Sequence, residues 1–214
     1  MDRIEDVSIV ECEDSFYIKP ARMIYTQNGI KKNWDLMRTH DSVAVVIFNI
    51  DKKSLVFVKQ FRPAVYYREI PLDECKDSID TKKYPGTLGV TLELCAGIVD
   101  KDQSLEEIVK EEMWEECGFD VPLSNIEKIT SFRSGVGITG SLQTLFYAEV
   151  TNAMKTHQGG GNSQEGEYIE VIELPLSEAH QLIYDEMVPR PVSLLFALMW
   201  FFDKKMNFKH LPKL

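Results

Sequence analysis

The residues best suited to chemistry lie between Ser104 and Cys117, where Glu106, Glu107, Glu111, Glu112, Glu115 and Glu116 set six carboxylates in one short stretch. Such a run is ordinarily a solvated acidic face, so the direction in which the charges point decides its meaning. Ser104 as N-cap, Glu107 as its capping-box partner and Gly118 as a stop signal predict a helix here. Advancing about 100° per residue from Leu105 at zero places Ile108 at about 300° and Val109 at about 40°, which fixes the apolar stripe. Glu112 then falls at about 340° and Glu116 at about 20°, inside the stripe, with Glu115 at its edge at about 280°. Glu106, Glu107, Lys110 and Glu111 face away.

The second half of this helix therefore replaces core positions with carboxylates. An uncompensated buried carboxylate costs several kcal/mol, and neighbouring like charges repel further. A bound cation resolves the conflict. His40, His157, His180 and His210 are scattered, and Cys12, Cys75, Cys95 and Cys117 show no paired spacing. An all-oxygen site points to a hard ion, Mg²⁺ first, with Mn²⁺ as a substitute or Ca²⁺ next. An EF-hand is set aside because Asp100-x-Asp102-x-Ser104 runs into Leu105 where the turn glycine belongs. Mg²⁺ held by few carboxylates keeps positions open for phosphate oxygens.

Strands must position this helix. Arg22 to Thr26, Trp34 to Met37, Ser42 to Phe48, Ser54 to Phe61, Val90 to Cys95, Gln143 to Val150 and Tyr168 to Leu174 read as strands, with a hairpin around Asp51-Lys52-Lys53. Tyr66 to Gly89 is polar and irregular and reads as a surface insertion, expected at the rim of a pocket. Two further helices are expected at about Ser177 to Met187 and Val192 to Lys205. The order predicts an α+β domain with helices packed on a mixed sheet.

Composition narrows the function. The 214 residues carry a net charge of −10, which disfavours a nucleic-acid or membrane-surface binder because such a body repels phosphate backbones and anionic lipid. The N-terminus shows no cationic region followed by an apolar run, and the apolar stretch Pro191 to Phe202 is shorter than the roughly 20 residues of a spanning helix. A cytoplasmic protein with reduced thiols is the expectation.

The segment Gly97-x5-Gln103-x7-Glu111-Glu112-Met113-Trp114-Glu115-Glu116-Cys117-Gly118-Phe119 resembles the Nudix box, G-x5-E-x7-R-E-U-x-E-E-x-G-U, U being aliphatic or aromatic. It departs at Gln103, where the box has Glu, and at Glu111, where it has Arg; an amide-to-carboxylate hydrogen bond could replace that ion pair. Trp34 to Val43, Val58 to Ala64, Glu93 to Gly97 and Ser134 to Ser141 extend the resemblance to the UDP-sugar pyrophosphatases, close kin of the ADP-ribose pyrophosphatases. Gly135 stands where the ADP-ribose branch usually has proline, which tilts the substrate towards a UDP-sugar.

This resemblance implies a Nudix fold: a mixed sheet sandwiched between helices in residues 41–214, with an N-terminal β-rich dimerisation region in 1–40. It implies Glu112, Glu116, Glu115, Glu167 and the Ala96 carbonyl as metal ligands, Glu165 as catalytic base, with Glu115 also beside the reaction, and Arg62 as a phosphate grip. Trp34, Gly135 and Ser141 are further candidates for substrate contact, and the glycines Gly159 to Gly161 suggest that the Glu165 loop closes over substrate. The expected reaction is Mg²⁺-dependent hydrolysis of UDP-glucose to UMP and glucose 1-phosphate by a homodimer. An ADP-ribose pyrophosphatase and a non-catalytic nucleotide-binding module are the rival expectations.

Overall fold

The computed structural model describes residues 1–12, 15, 18–75, 78–206 of the chain. Among these described residues nine strands and four α-helices follow in the order β1 (Lys19–Gln27), β2 (Ile30–Arg38), β3 (Ser42–Asn49), β4 (Ser54–Phe61), α1 (Pro63–Glu69), β5 (Val90–Glu93), β6 (Cys95–Ile98), α2 (Leu105–Cys117), β7 (Ile126–Arg133), β8 (Leu142–Val150), β9 (Ile169–Pro175), α3 (Leu176–Gln181) and α4 (Val192–Lys204). β1 and β2 form a separate antiparallel ribbon. The other strands make one mixed sheet, in which β3 and β8 run parallel and the remaining pairs antiparallel.

The hairpin at Asp51 to Lys53 closes with Asn49 opposite Ser54, but β3 and β4 pair over only three positions. Beyond Ile47 and Val56 the two strands splay, and the β5–β6 segment fills the gap. β5 pairs with the end of β4, Val58 opposite Glu93, and β6 with the start of β3, Val43 opposite Gly97. A cleft opens where the strands part.

Alternation along β3 divides the interior. Val43, Val45 and Ile47 face a core shared with Ile108, Val109, Met113 and Cys117 of α2. Ala44 and Val46 face the opposite core, built with Leu194, Ala197, Leu198, Phe201 and Phe202 of α4 and Ala179 of α3. The sheet is thus sandwiched between α2 and the C-terminal helices, as two-layer burial requires.

Several expectations change, among them that the single run Val90 to Cys95 is two strands, β5 and β6, parted at Leu94. β7 was not anticipated: its sequence, IEKITSFR, alternates weakly because it pairs only with β8, is bulged between Lys128 and Thr130, and leaves much of its surface to solvent. α3 stops at Gln181, short of Met187, and the chain beyond it is held instead by Arg190, whose guanidinium donates to the Val188 and Ile183 carbonyls at 2.8 and 3.3 Å. The insertion is more than an irregular surface loop. It opens on the second half of α1, and Tyr66, Ile70 and Ile79 form a small core with Ile4 and Val7 of the N-terminus.

Candidate active site

The helix that carries the carboxylates folds for local reasons. Ser104 Oγ accepts from the Glu107 backbone N–H at 3.3 Å while the Glu107 carboxylate accepts from the Ser104 N–H at 2.8 Å, closing the capping box. Gly118, at φ 75°, ends the helix with its N–H on the Trp114 carbonyl at 2.9 Å. The buried face is Ile108, Val109, Met113, Glu116 and Cys117. Glu116 is only 3% exposed; its Oε2 accepts the Ala96 N–H of β6 at 3.0 Å, and the Cys95 thiol of the same strand also favours its charged form.

These carboxylates are electrostatically strained. Burial, then repulsion from Glu112, pushes the Glu116 carboxyl up to about 8. Burial, then the charges of Glu167 and Glu115, pushes Glu112 up to about 7. Cys95 and Cys117 lie fully buried beside them, and burial drives the Cys95 thiol well above the ordinary thiol range. Reactive-thiol chemistry is excluded here.

Glu112, Glu115 and Glu116 floor a cleft of about 880 Å³. The splayed strands line it with Ser42, Ala44, Gln60, Arg62, Glu93, Ala96 and Gly97, joined by Phe132 to Val136, Gln143 and the start of α4 at Pro191 to Ser193. Glu167 reaches in from the loop before β9. Of the residues singled out in the sequence, Arg62, Ala96, Glu112, Glu115, Glu116, Gly135 and Glu167 share this cleft. Trp34 and Ser141 are not among its lining residues. The Trp34 indole, half exposed on β2, donates to the Gly137 carbonyl at 2.8 Å, and Ser141 closes the base of the 134–141 loop by accepting the Ser134 N–H at 2.8 Å. Glu165 ends a 3₁₀ turn, Ser163–Glu165, and its side chain lies outside the described residues. None of the described residues of the 66–89 insertion lines the cleft, so they do not form the expected rim.

The glycine run before that turn does something other than loosen the chain. Gly160 and Gly161 donate their N–H groups to the Glu116 and Glu115 carbonyls at 2.9 and 3.2 Å, satisfying the end of α2. Gly159, at φ 75°, packs so closely that a Cβ there would overlap the Glu116 carbonyl. The Glu167 loop is thereby docked on the helix whose glutamates it faces.

Arg62 is oriented rather than free. Its Nε and Nη2 donate to the Glu93 carboxylate at 2.8 and 2.7 Å, and Thr91 Oγ1 donates to the same group at 2.5 Å. Burial would raise Glu93, but the hydrogen bond and charge of Arg62 prevail and hold it below the ordinary carboxylate range. Nη1 of Arg62 makes no hydrogen bond among the described residues, leaving a donor for a ligand. Glu93 was missed in the sequence because nothing local links it to Arg62; only the β4–β5 register does, and a polar residue between buried Leu92 and Leu94 was the available signal. Gln103 and Glu111 are joined as anticipated, Nε2 to Oε1 at 2.6 Å.

The donor set suits a hard divalent cation: clustered carboxylates with raised affinity for positive charge, and room above them because Gly97 has no side chain. A Cβ there would overlap the Glu112 carboxylate. Among the described residues no three acidic, histidine or cysteine side chains already converge as a preformed cage. The described helices include none long and apolar enough to cross a membrane.

No family model matches the chain. It is 46% identical over 213 residues to the uridine diphosphate glucose pyrophosphatase NUDT14 of Bos taurus, a match spanning 95% of this chain and 96% of that protein. The Mus musculus protein of the same name is 42% identical over 214 residues, with the same coverage, 95% and 96%. A GDP-mannose pyrophosphatase of Cronobacter sakazakii is 34% identical over 139 residues, 65% of this chain and 62% of that protein. Similarity of this extent, on a chain whose α2 turns its glutamates into a cleft, shows that it belongs to the UDP-glucose pyrophosphatase family of the Nudix hydrolases.

Proposed function

We propose that this chain hydrolyses the pyrophosphate bond of a nucleoside diphosphate sugar, water adding across the P–O–P bridge of UDP-glucose to give UMP and glucose 1-phosphate. The observation that carries it is Glu116: a carboxylate buried on the core face of α2, raised to about 8, with Glu112 beside it and a cleft of about 880 Å³ above. A stability argument leaves that arrangement unexplained, and the anhydride chemistry of the relatives explains it.

A divalent cation, Mg²⁺ or Mn²⁺, would be held by Glu112, Glu115, Glu116, Glu167 and the Ala96 carbonyl, and would supply positive charge against the diphosphate as negative charge builds on its oxygens. The remaining work falls to side chains. Arg62, fixed by Glu93, offers Nη1 to a phosphate oxygen. Glu165 takes the proton of the attacking water. Gly135 lies along the wall where the sugar nucleotide would rest. Ser141 would act there only through the loop it closes.

We also infer that residues 1–40 serve as a dimerisation region. The β1–β2 ribbon leaves Met23, Ile24, Ile30 and Trp34 largely exposed, apolar surface that a second copy of the chain would cover and from which Trp34 could reach a neighbouring cleft. Light scattering tests this, and a strict monomer removes it. Four unpaired cysteines agree with a cytoplasmic setting.

Product analysis decides the reaction. UDP-glucose, ADP-ribose and GDP-mannose are incubated separately with the protein, with and without Mg²⁺. Mg²⁺-dependent UMP and glucose 1-phosphate, formed faster than AMP or GMP from the other two, is the expected result. Nucleotide binding without turnover of any of them would make the chain a non-catalytic module.

A further inference from the structure

Glu111 stands where α2 turns from its solvated half to its cleft-facing half, directly before Glu112. Two side chains from the loop between β6 and α2 close on it. Lys101 Nζ donates to Oε2 at 2.7 Å and Gln103 Nε2 to Oε1 at 2.6 Å, so each carboxylate oxygen is taken by the same loop. That loop continues from β6, whose Ala96 N–H holds Glu116 at 3.0 Å. The segment is thus fastened to α2 at two points that bracket Glu112 and Glu115.

Charge makes the Lys101 contact more than a surface ion pair. α2 carries six glutamates and a single basic residue, Lys110, which is engaged with Asp120 at 3.2 Å. Glu107 and Glu111, Glu111 and Glu115, and Glu112 and Glu116 are like charges four residues apart, an arrangement that destabilises a helix. Lys101 supplies the opposing charge from outside the helix. It lines the cleft with Glu112 and Glu115, and its ammonium is stabilised by the Glu111 hydrogen bond first and then by the charges of Glu111, Glu115 and Glu112. Hydrogen bonds from Lys101 and Gln103 in turn hold Glu111 below the ordinary carboxylate range.

We propose that Lys101 is a positioning residue of this site: through Glu111 it ties the β6–α2 loop to the cleft-facing half of α2 and sets the placement of Glu112 and Glu115, the task that the Nudix box otherwise gives to an arginine within the helix. The polarity of the pair is reversed here, with the cation on the loop and the anion on the helix. Lys101 acts on turnover only through Glu112 and Glu115, so its effect on rate rests on the hydrolase reading above.

The experiment uses the full chain and four variants: Lys101→Met, Lys101→Arg, Glu111→Gln, and a triple variant combining Lys101→Met with Gln103→Glu and Glu111→Arg, which moves the cation back onto the helix. kcat and KM are measured for UDP-glucose at saturating Mg²⁺, and melting midpoints are measured without metal, including the Lys101→Met, Glu111→Gln double variant. Expected is a fall in kcat of about tenfold for Lys101→Met with KM little changed, as for a group that orients a ligand-bearing residue. Lys101→Arg and the triple variant should recover most of that loss. Without metal, the Lys101→Met and Glu111→Gln shifts in midpoint should be non-additive.

Unchanged kcat in Lys101→Met overturns the proposal. So does a rise in KM alone, which would make Lys101 a substrate contact, and so does failure of the triple variant to recover activity. Should the unaltered protein turn over no substrate, the hydrolase reading fails separately, and the metal-free melting cycle still decides: additive midpoints would dissolve the tie between Lys101 and Glu111.

Discussion

α2 and α4 are both 13-residue helices, packed on opposite faces of one sheet, and they are held in opposite ways. α4 begins at Val192 after Pro191, which supplies no side-chain cap, yet turns Leu194, Ala197, Leu198, Phe201 and Phe202 into the interior. Its packing suffices. α2 places Glu116 on its buried face and is fastened at every other point the chain allows: a capping box at Ser104, the Gly118 stop, the Gly160 and Gly161 N–H groups on its last carbonyls, and the loop fork on Glu111. A cap contributes about 1 kcal/mol, so several together offset what an ill-suited inward side chain loses. A helix that bears the site is secured by its ends because its face has been given to chemistry.

Substitution at the inward positions tests this contrast most directly. Glu116→Gln should lower kcat for UDP-glucose by about a thousandfold, about 4 kcal/mol of barrier, because one charged oxygen ligand is lost. The metal-free protein should melt higher at pH 8, since the amide keeps the Ala96 N–H contact without a buried charge. A variant that loses both activity and stability would mean that Glu116 is a structural acid.

The pH dependence of metal-free stability follows from the same group. Glu116 and Glu112 lie at about 8 and about 7 in the folded chain, against an ordinary value of 4.5. Between those limits the folded state holds protons that the unfolded state has released, so stability is fully present below about pH 4.5 and is lost as pH rises through 7 and 8. Carboxylates held low by partners, such as Glu93 and Glu111, complete their titration below this window and do not reverse the slope. Denaturant unfolding from pH 5 to 8 should show a fall of several kcal/mol, and Mg²⁺ should flatten it. A flat metal-free profile would show that neither burial nor mutual repulsion raises these carboxylates.

The opposite helix answers differently. Leu198→Ala, at a position buried in the second core, should destabilise the protein by about 3 kcal/mol. Activity well below the melting temperature should remain near that of the parent, checked by kcat at a temperature where both are folded.

What could be read from the sequence divides along the same line. α2 was legible to the residue because its signals are local: Ser104, Glu107 and Gly118 mark its ends, and a 3.6-residue period places Glu112 and Glu116 inward. Most strands of the buried sheet announced themselves through apolar runs, though the short β6, Cys95–Ile98, did not. β7 did not, since an edge strand such as Ile126–Arg133 has little to bury. Contacts set by register were invisible: the Arg62–Glu93 pair spans 31 residues and the Trp34–Gly137 contact 103. The glycines Gly159 to Gly161 were seen, but their docking on α2 was not, because loop flexibility and close backbone approach leave the same mark in a sequence.

That last distinction yields the smallest effect and separates the two uses of glycine. Gly159 sits at φ 75°, and a Cβ there would overlap the Glu116 carbonyl and crowd Cys117, both backbone and neither able to yield easily. Gly159→Ala should therefore cost about 2 kcal/mol in stability and lower kcat by displacing the end of α2, with KM less affected. Gly137→Ala is the control: no atom lies within 4 Å of its Cβ position and its φ is unremarkable for an L-residue, so stability should change by no more than about 0.5 kcal/mol. If Gly159→Ala behaves like Gly137→Ala, the glycine run is a hinge after all, and the end of α2 must owe its placement to Gly118 and the Glu111 fork alone.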